Sequence, residues 1–152
     1  MKHYDIIYST CAHESIECLY NLYENIQKFH PGLYAAFIVH ANPDLYAKKD
    51  EIPRAENLIW HPDPTVKERF TSKLFLGHLE NFRYASTVCD FHFFSTLASN
   101  CMFVRPTDGE QIAKTPMLAP RATRRARHDP PRPNLHRHCH CVDASRVADL
   151  LR

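Results

Sequence analysis

The chain has 152 residues, 44% of them apolar and 24% charged, which suffices for one domain with a real core and not for two large ones. No stretch approaches the roughly 18 uncharged apolar residues of a membrane span. The opening Met1-Lys2-His3-Tyr4-Asp5 leads only into the short apolar run Ile6-Ile7-Tyr8, with no signal-peptide pattern, so a cytoplasmic location, at most peripheral to a membrane, is expected.

Residues 4–9 open the fold as a short strand, since Ile6, Ile7 and Tyr8 favour a pleated environment. An amphipathic helix follows: Ile16, Leu19, Leu22, Tyr23, Ile26 and Phe29 recur at three- and four-residue steps. Glu14 and Glu17 fall in its first turns, where the helix dipole favours negative charge, and Lys28, His30 and Pro31-Gly32 mark its end. Residues 33–40 are apolar nearly throughout, as in a strand buried on both faces. Ala41-Asn42-Pro43-Asp44 reads as a turn. Residues 56–60 form a third short strand, closed by His61-Pro62-Asp63-Pro64. A second helix spans residues 72–87, with Thr71 or Ser72 as its cap and Phe75, Leu79 and Phe82 as its apolar stripe. Residues 91–97 form a fourth strand, ending in the loop Ala98-Ser99-Asn100-Cys101.

The order β-α-β-β-α-β predicts an α/β fold, a Rossmann-like three-layer sandwich with a mostly parallel sheet and right-handed crossovers. Ligands bind such sheets at the carboxyl ends of the strands. Three polar segments are expected there: residues 9–13, 40–42 and 99–100. The glycines Gly32, Gly77 and Gly109 form no phosphate loop. Cys11, Cys18, Cys89 and Cys101 are scattered, which argues for buried thiols rather than a disulfide framework.

The chain changes character near residue 115. Residues 1–115 carry eleven Lys+Arg against fourteen Asp+Glu, a charge of −3; residues 116–152 carry eight Arg and no Lys against three Asp, a charge of +5. The second segment also holds Pro120, Pro130, Pro131 and Pro133, and its longest apolar clusters are too short to offset the entropy of ordering it. A disordered basic tail is expected, with the composition of a frameshifted reading of GC-rich DNA. A short helix over residues 143–151 is the one regular element its pattern allows. His136, His138, Cys139, His140 and Cys141 are metal-capable, but adjacent ligands in one extended segment cannot all converge on one ion, so no metal site is expected.

The segments "IVHAN" (residues 38–42), "FTSKLFLGHLENF" (70–82) and "DFHFFSTLASNCMFVRP" (90–106), with the first strand and its following helix, carry a resemblance. They resemble the N-terminal half of the core-2/I-branching class of glycosyltransferases, and related bacterial or viral sugar transferases, over residues 4–110. That class has a His-x-Asp motif after its second strand, where this chain has His40-Ala41-Asn42. It has a Ser-Gly-x-Asp-like loop after the fourth, where this chain has Ala98-Ser99-Asn100-Cys101. The resemblance implies a GT-A-like domain over residues 1–115 that moves a sugar from a nucleotide-sugar donor to a glycan or other hydroxyl acceptor, with inversion and without a metal or other cofactor. Nothing after Arg105 resembles the family's later half, which carries the acceptor site and the catalytic base. No catalytic residue is therefore assigned, and the chain is expected to be truncated and inactive alone.

Each candidate residue also has a plainer reading. Ser9, Thr10 and His13 bind the base or diphosphate, or else Ser9 or Thr10 caps the first helix. His40 and Asn42 recognise base or ribose, or form an edge histidine and an Asn-Pro turn. His78 contacts the donor, or is a satisfied core histidine. Ser99 and Asn100 touch the donor sugar or phosphates, or cap a loop. Lys73 reads as part of a solvated face, Asp90 as lying at the far end of its strand, and His92 as a structural residue on a buried strand. Two alternatives stand beside the transferase: a nucleic-acid binder using the Arg-rich tail, which is the less favoured, and a non-catalytic α/β interaction module.

Overall fold

The computed structural model describes residues 1–67, 72–109 and 141–143. The elements are β1 (Lys2–Ala12), α1 (Ile16–Phe29), β2 (Ala35–Ala41), the short α2 (Pro43–Ala47), a 3-10 turn (Lys49–Glu51), β3 (Leu58–Trp60), α3 (Ser72–Val88), β4 (Cys89–Thr96) and β5 (Cys141–Asp143). The strands lie in the order β3-β2-β1-β4-β5. The first four are mutually parallel, and β5 runs antiparallel along β4. This is an α/β fold with a predominantly parallel sheet.

Alternation along the central strands divides the core between two faces. Ile6 and Tyr8 of β1 and Phe37 and Val39 of β2 meet the stripe Ile16, Leu19, Leu22, Tyr23 and Ile26 of α1. Ile7 of β1 and Ala36 and Ile38 of β2 join Phe82 and Ala85 of α3 on the other side. There the Phe82 ring meets Phe91 and Phe94 edge-on, at centroid distances of 5.8 and 5.2 Å. β2 is buried at every position, as its nearly continuous apolar run leads one to expect, and His40 is buried with the rest.

Local chemistry sets the element ends. Ser15 caps α1, its hydroxyl accepting from the Cys18 amide, so neither Ser9 nor Thr10 does so. Glu14 consequently precedes the helix instead of lying in its first turn. At the far end of α1, buried His30 donates from Nδ1 to the Ile26 carbonyl (2.7 Å) and accepts at Nε2 from the Tyr8 hydroxyl (2.7 Å). Gly32 follows with φ of 77°, a left-handed turn residue. The expected turn at residues 41–44 is instead the start of α2: Asn42 Oδ1 accepts from the Leu45 amide at 2.8 Å, and Pro43 sits in the first turn.

The stripe expected on the second helix is shifted. Phe75 is 62% exposed, and the buried residues of α3 are Gly77, Asn81, Phe82 and Ala85. A Cβ at position 77 would lie 2.5 Å from Cys11 Sγ, so the missing side chain lets the helix approach β1 closely. A face made of Gly, Asn and Ala is invisible to a search for large apolar residues.

His92 is exposed, not held on a buried face as expected. Its partner across the ladder would be Asp5, but the β1–β4 register passes directly from Tyr4↔Phe91 to Ile6↔Phe93. The expected burial of thiols holds for Cys11 and Cys89, whereas Cys18 and Cys101 are exposed; all four are free.

Three residues of the basic tail, Cys141–Asp143, belong to the sheet as β5. The tail was expected to lie wholly outside the fold, and Asp143 was expected to open a helix. The rest of that helix, and His136, His138, Cys139 and His140, lie outside the described residues, as does Thr71. Among the described residues, no helix is long and apolar enough to cross a membrane.

Candidate functional site at the carboxyl rim of the sheet

In an open parallel sheet, chain connections leave the two neighbouring strands in opposite directions at one point, and a crevice opens beyond their carboxyl ends. Here that point lies between β1, followed by α1 on one face, and β4, preceded by α3 on the other. A cleft of about 220 Å³ sits there, lined by His13 and Glu14 from the β1–α1 turn, Leu74 and His78 from α3, and Leu97, Ser99 and Asn100 after β4. A smaller hollow beside it is lined by His13, His40, Asn42, Thr65 and Lys67. His13 and Cys11 border both.

The residues singled out in the sequence therefore meet at one rim, in different roles. His13, His78, Ser99 and Asn100 line the larger cleft, and His40 and Asn42 the smaller hollow. Asn42 spends its side-chain oxygen on capping α2. Ser9 and Thr10 are fully buried within β1, so Ser9 reaches the cleft only through His78.

Beneath the cleft lies a buried polar relay. Asn81 Nδ2 donates to the Thr10 carbonyl (3.1 Å) and to Ser9 Oγ (2.9 Å), and the first of these acceptors fixes the orientation of the amide. Ser9 Oγ also lies 2.9 Å from His78 Nδ1. With Asn81 donating to Ser9, the arrangement that places every proton has the Ser9 hydroxyl donating to Nδ1. His78 then carries its own proton on Nε2. Burial drives its pKa down to about 4, so this histidine is a neutral donor at pH 7 and not a cation.

Glu14 supplies the opposite character. Burial works against its ionisation, but a hydrogen bond from Ser99, the neighbouring His13 and nearby backbone amides outweigh it and hold the carboxyl below its usual range. The Glu14–Ser99 bond joins the β1–α1 turn to the β4 loop across the cleft. The larger cleft thus pairs an anionic acceptor with a neutral donor.

The smaller hollow is ordered by charge. Lys67 Nζ and Glu80 Oε2 are 2.7 Å apart, with Lys67 largely buried. Burial opposes ionisation of Glu80, and the hydrogen bond and charge of Lys67 more than offset it. His40 accepts or donates at Nε2 with Thr65 Oγ1 (2.8 Å) and stacks on His61 at 4.7 Å. Its Nδ1 lies 3.4 Å from Glu80 but makes no aligned hydrogen bond. Burial first, and then the neighbouring His61 and Lys67, push its pKa to about 4, so this contact is not an ion pair at pH 7. Burial likewise raises the Cys11 thiol to about 12, which removes it as a thiolate nucleophile.

Sequence reading missed Glu14 as a cleft residue, and it missed Asn81, Lys67 and Glu80. The spacing of His78 and Asn81, three apart on one helix face, was the available signal for the relay. In comparisons with known proteins, no family model, no curated protein and no solved structure matches the chain.

Proposed function

We propose that the rim cleft binds a nucleotide-sugar donor and that the chain is glycosyltransferase-like, with a GT-A-like arrangement, transferring a sugar to a hydroxyl acceptor. One observation carries this reading: the turns after β1 and β4 converge at the strand-order switch into a cleft that pairs ionised Glu14 with the neutral donor His78. An ionised carboxylate accepts hydrogen bonds from ribose or sugar hydroxyls and repels phosphate oxygens. A hydroxyl-bearing moiety therefore sits against Glu14, with His78 and Asn100 available to oxygens of the ligand. At about 220 Å³ the cleft accommodates one such moiety and not a whole donor, since small-molecule sites run to about 300–1,000 Å³. The remainder of the donor extends over the rim toward His13 and Lys67. The resemblance in residues 38–42 and 90–106 supports the same choice. No residue is assigned as the catalytic base.

Calorimetric titration of the full chain with uridine and guanosine diphosphate sugars tests this reading. One of them should bind saturably, and Glu14→Gln and Asn100→Ala should each weaken it by about tenfold, the loss of one good hydrogen bond to a charged or buried partner. Absence of heat with every donor, or equal affinity in both variants, would overturn the assignment.

A further inference from the structure

The opposite end of the sheet carries a second constellation. His3 and Asp5 stand at alternate positions of β1, and Asp90 and His92 at alternate positions of β4, where the register pairs His3 with Asp90. The pairing is interrupted between Asp5 and His92, yet the side chains of His3, Asp5 and His92 gather there with Asp90 bonded to His3, so four ligand-type groups from two neighbouring strands lie together. The rings of His3 and His92 are edge-to-face with centroids 4.5 Å apart. Among the described residues, His3, Asp5 and His92 form a group in which one ligand atom from each lies within 4.8 Å of the others.

We propose that His3, Asp5 and His92 form a binding site for a divalent first-row transition metal, Zn²⁺ foremost, with Asp90 as the partner that orients His3.

Two imidazoles with one carboxylate select such metals, whereas Ca²⁺ and Mg²⁺ seek oxygen-rich shells. The hydrogen bonding is already that of a metal site. Asp90 Oδ2 lies 3.0 Å from His3 Nδ1. A carboxylate oxygen accepts in such a bond and the ring nitrogen donates. With Nδ1 donating to Asp90, Nε2 is the atom of His3 left to offer a lone pair to a metal. Metal-bound histidines commonly have a carboxylate in this position. Asp5 is steadied in the same way, its Oδ2 accepting from the Tyr34 amide at 2.8 Å. A tetrahedral shell with bonds of about 2.0–2.1 Å brings ligand atoms to about 3.4 Å from one another. The ligand atoms stand within 4.8 Å of one another, so the exposed rings of His3 and His92 would have to close the remaining gap around a bound ion. A bound ion would clip the start of β1 to the start of β4, far from the rim cleft.

The test is a titration of the full chain with Zn²⁺ at pH 7.5, followed by the imidazole NMR signals and by calorimetry, with Ca²⁺ as control. The tail histidines and cysteines are internal competitors, so the readout must be specific to residues. The ring signals of His3 and His92 should move together and saturate at one equivalent. His92→Ala should abolish that equivalent, and Asp90→Asn should weaken it by about 10- to 100-fold. Asp5→Asn should weaken zinc binding while leaving the nucleotide-sugar titration unchanged. If zinc moves only the tail signals, or if His92→Ala leaves the His3 response intact, the site does not exist.

Discussion

The two helices that sandwich the sheet solve the same packing problem with opposite materials. α1 presents Leu19, Leu22 and Ile26, all essentially inaccessible, and its face contributes hydrophobic burial. The middle of α3 presents Gly77, His78 and Asn81, which bind β1 through hydrogen bonds and close backbone approach. Apolar surface stabilises in proportion to area and does not depend on direction. A polar contact fixes one geometry, and costs more when left incomplete. The contrast assigns stability to the α1 side, and the positioning of side chains under the cleft to the α3 side.

The largest expected effect tests the first half of this contrast. Leu22→Ala empties a fully buried position and should lower stability by about 2–5 kcal/mol, read from urea unfolding. Ligand titration of the folded fraction should stay unchanged; a variant that folds normally but no longer binds would erase the division.

Next comes pH. Burial lowers the pKa of both His40 and His78 to about 4, against about 6.5 in the unfolded chain. The unfolded state therefore binds protons first as pH falls. This contribution is fully present above pH 6.5 and is lost progressively as pH drops toward 4, on the order of 3 kcal/mol for each histidine. His78→Asn should flatten the slope of unfolding free energy between pH 6.5 and 4. An unchanged slope would mean that the relay under the cleft is not a neutral one.

The smallest effect concerns Gly77. An alanine gains about 1 kcal/mol of helix propensity but drives its Cβ into Cys11 Sγ, and overpacking of this kind costs about 1–3 kcal/mol. A net loss near 1 kcal/mol is expected, recovered in part by Cys11→Ala in the same chain. If Gly77→Ala alone stabilises the protein, the helix does not depend on close approach at that point.

The four parallel strands and α1 were legible because their signals are redundant: β2 is apolar except for His40, and α1 repeats its large residues with the period of its own turns. α3 was legible in extent and not in orientation. Phe75 looks like a core residue by size, yet it is exposed, and the residue that decides the packing is a glycine. The rim was legible as a place, since strand ends and polar turns coincide there. The roles were not. Glu14 looked like a helix-dipole residue because the start of α1 could not be fixed to a single residue, and Ser15 decides it. Asn81 acts on Ser9 and Thr10 some seventy positions earlier, a distance over which a single sequence carries no pairing signal.

The sheet also has a consequence for solubility. Its outer strand on the side away from β4 is β3, only three residues long, and it runs directly into His61-Pro62-Asp63-Pro64. A neighbouring chain seeking to extend the sheet there would find a ladder of three residues, and then two prolines with no amide proton to offer. The brevity of β3 thus works as a terminator, discouraging fibril-like growth at this border.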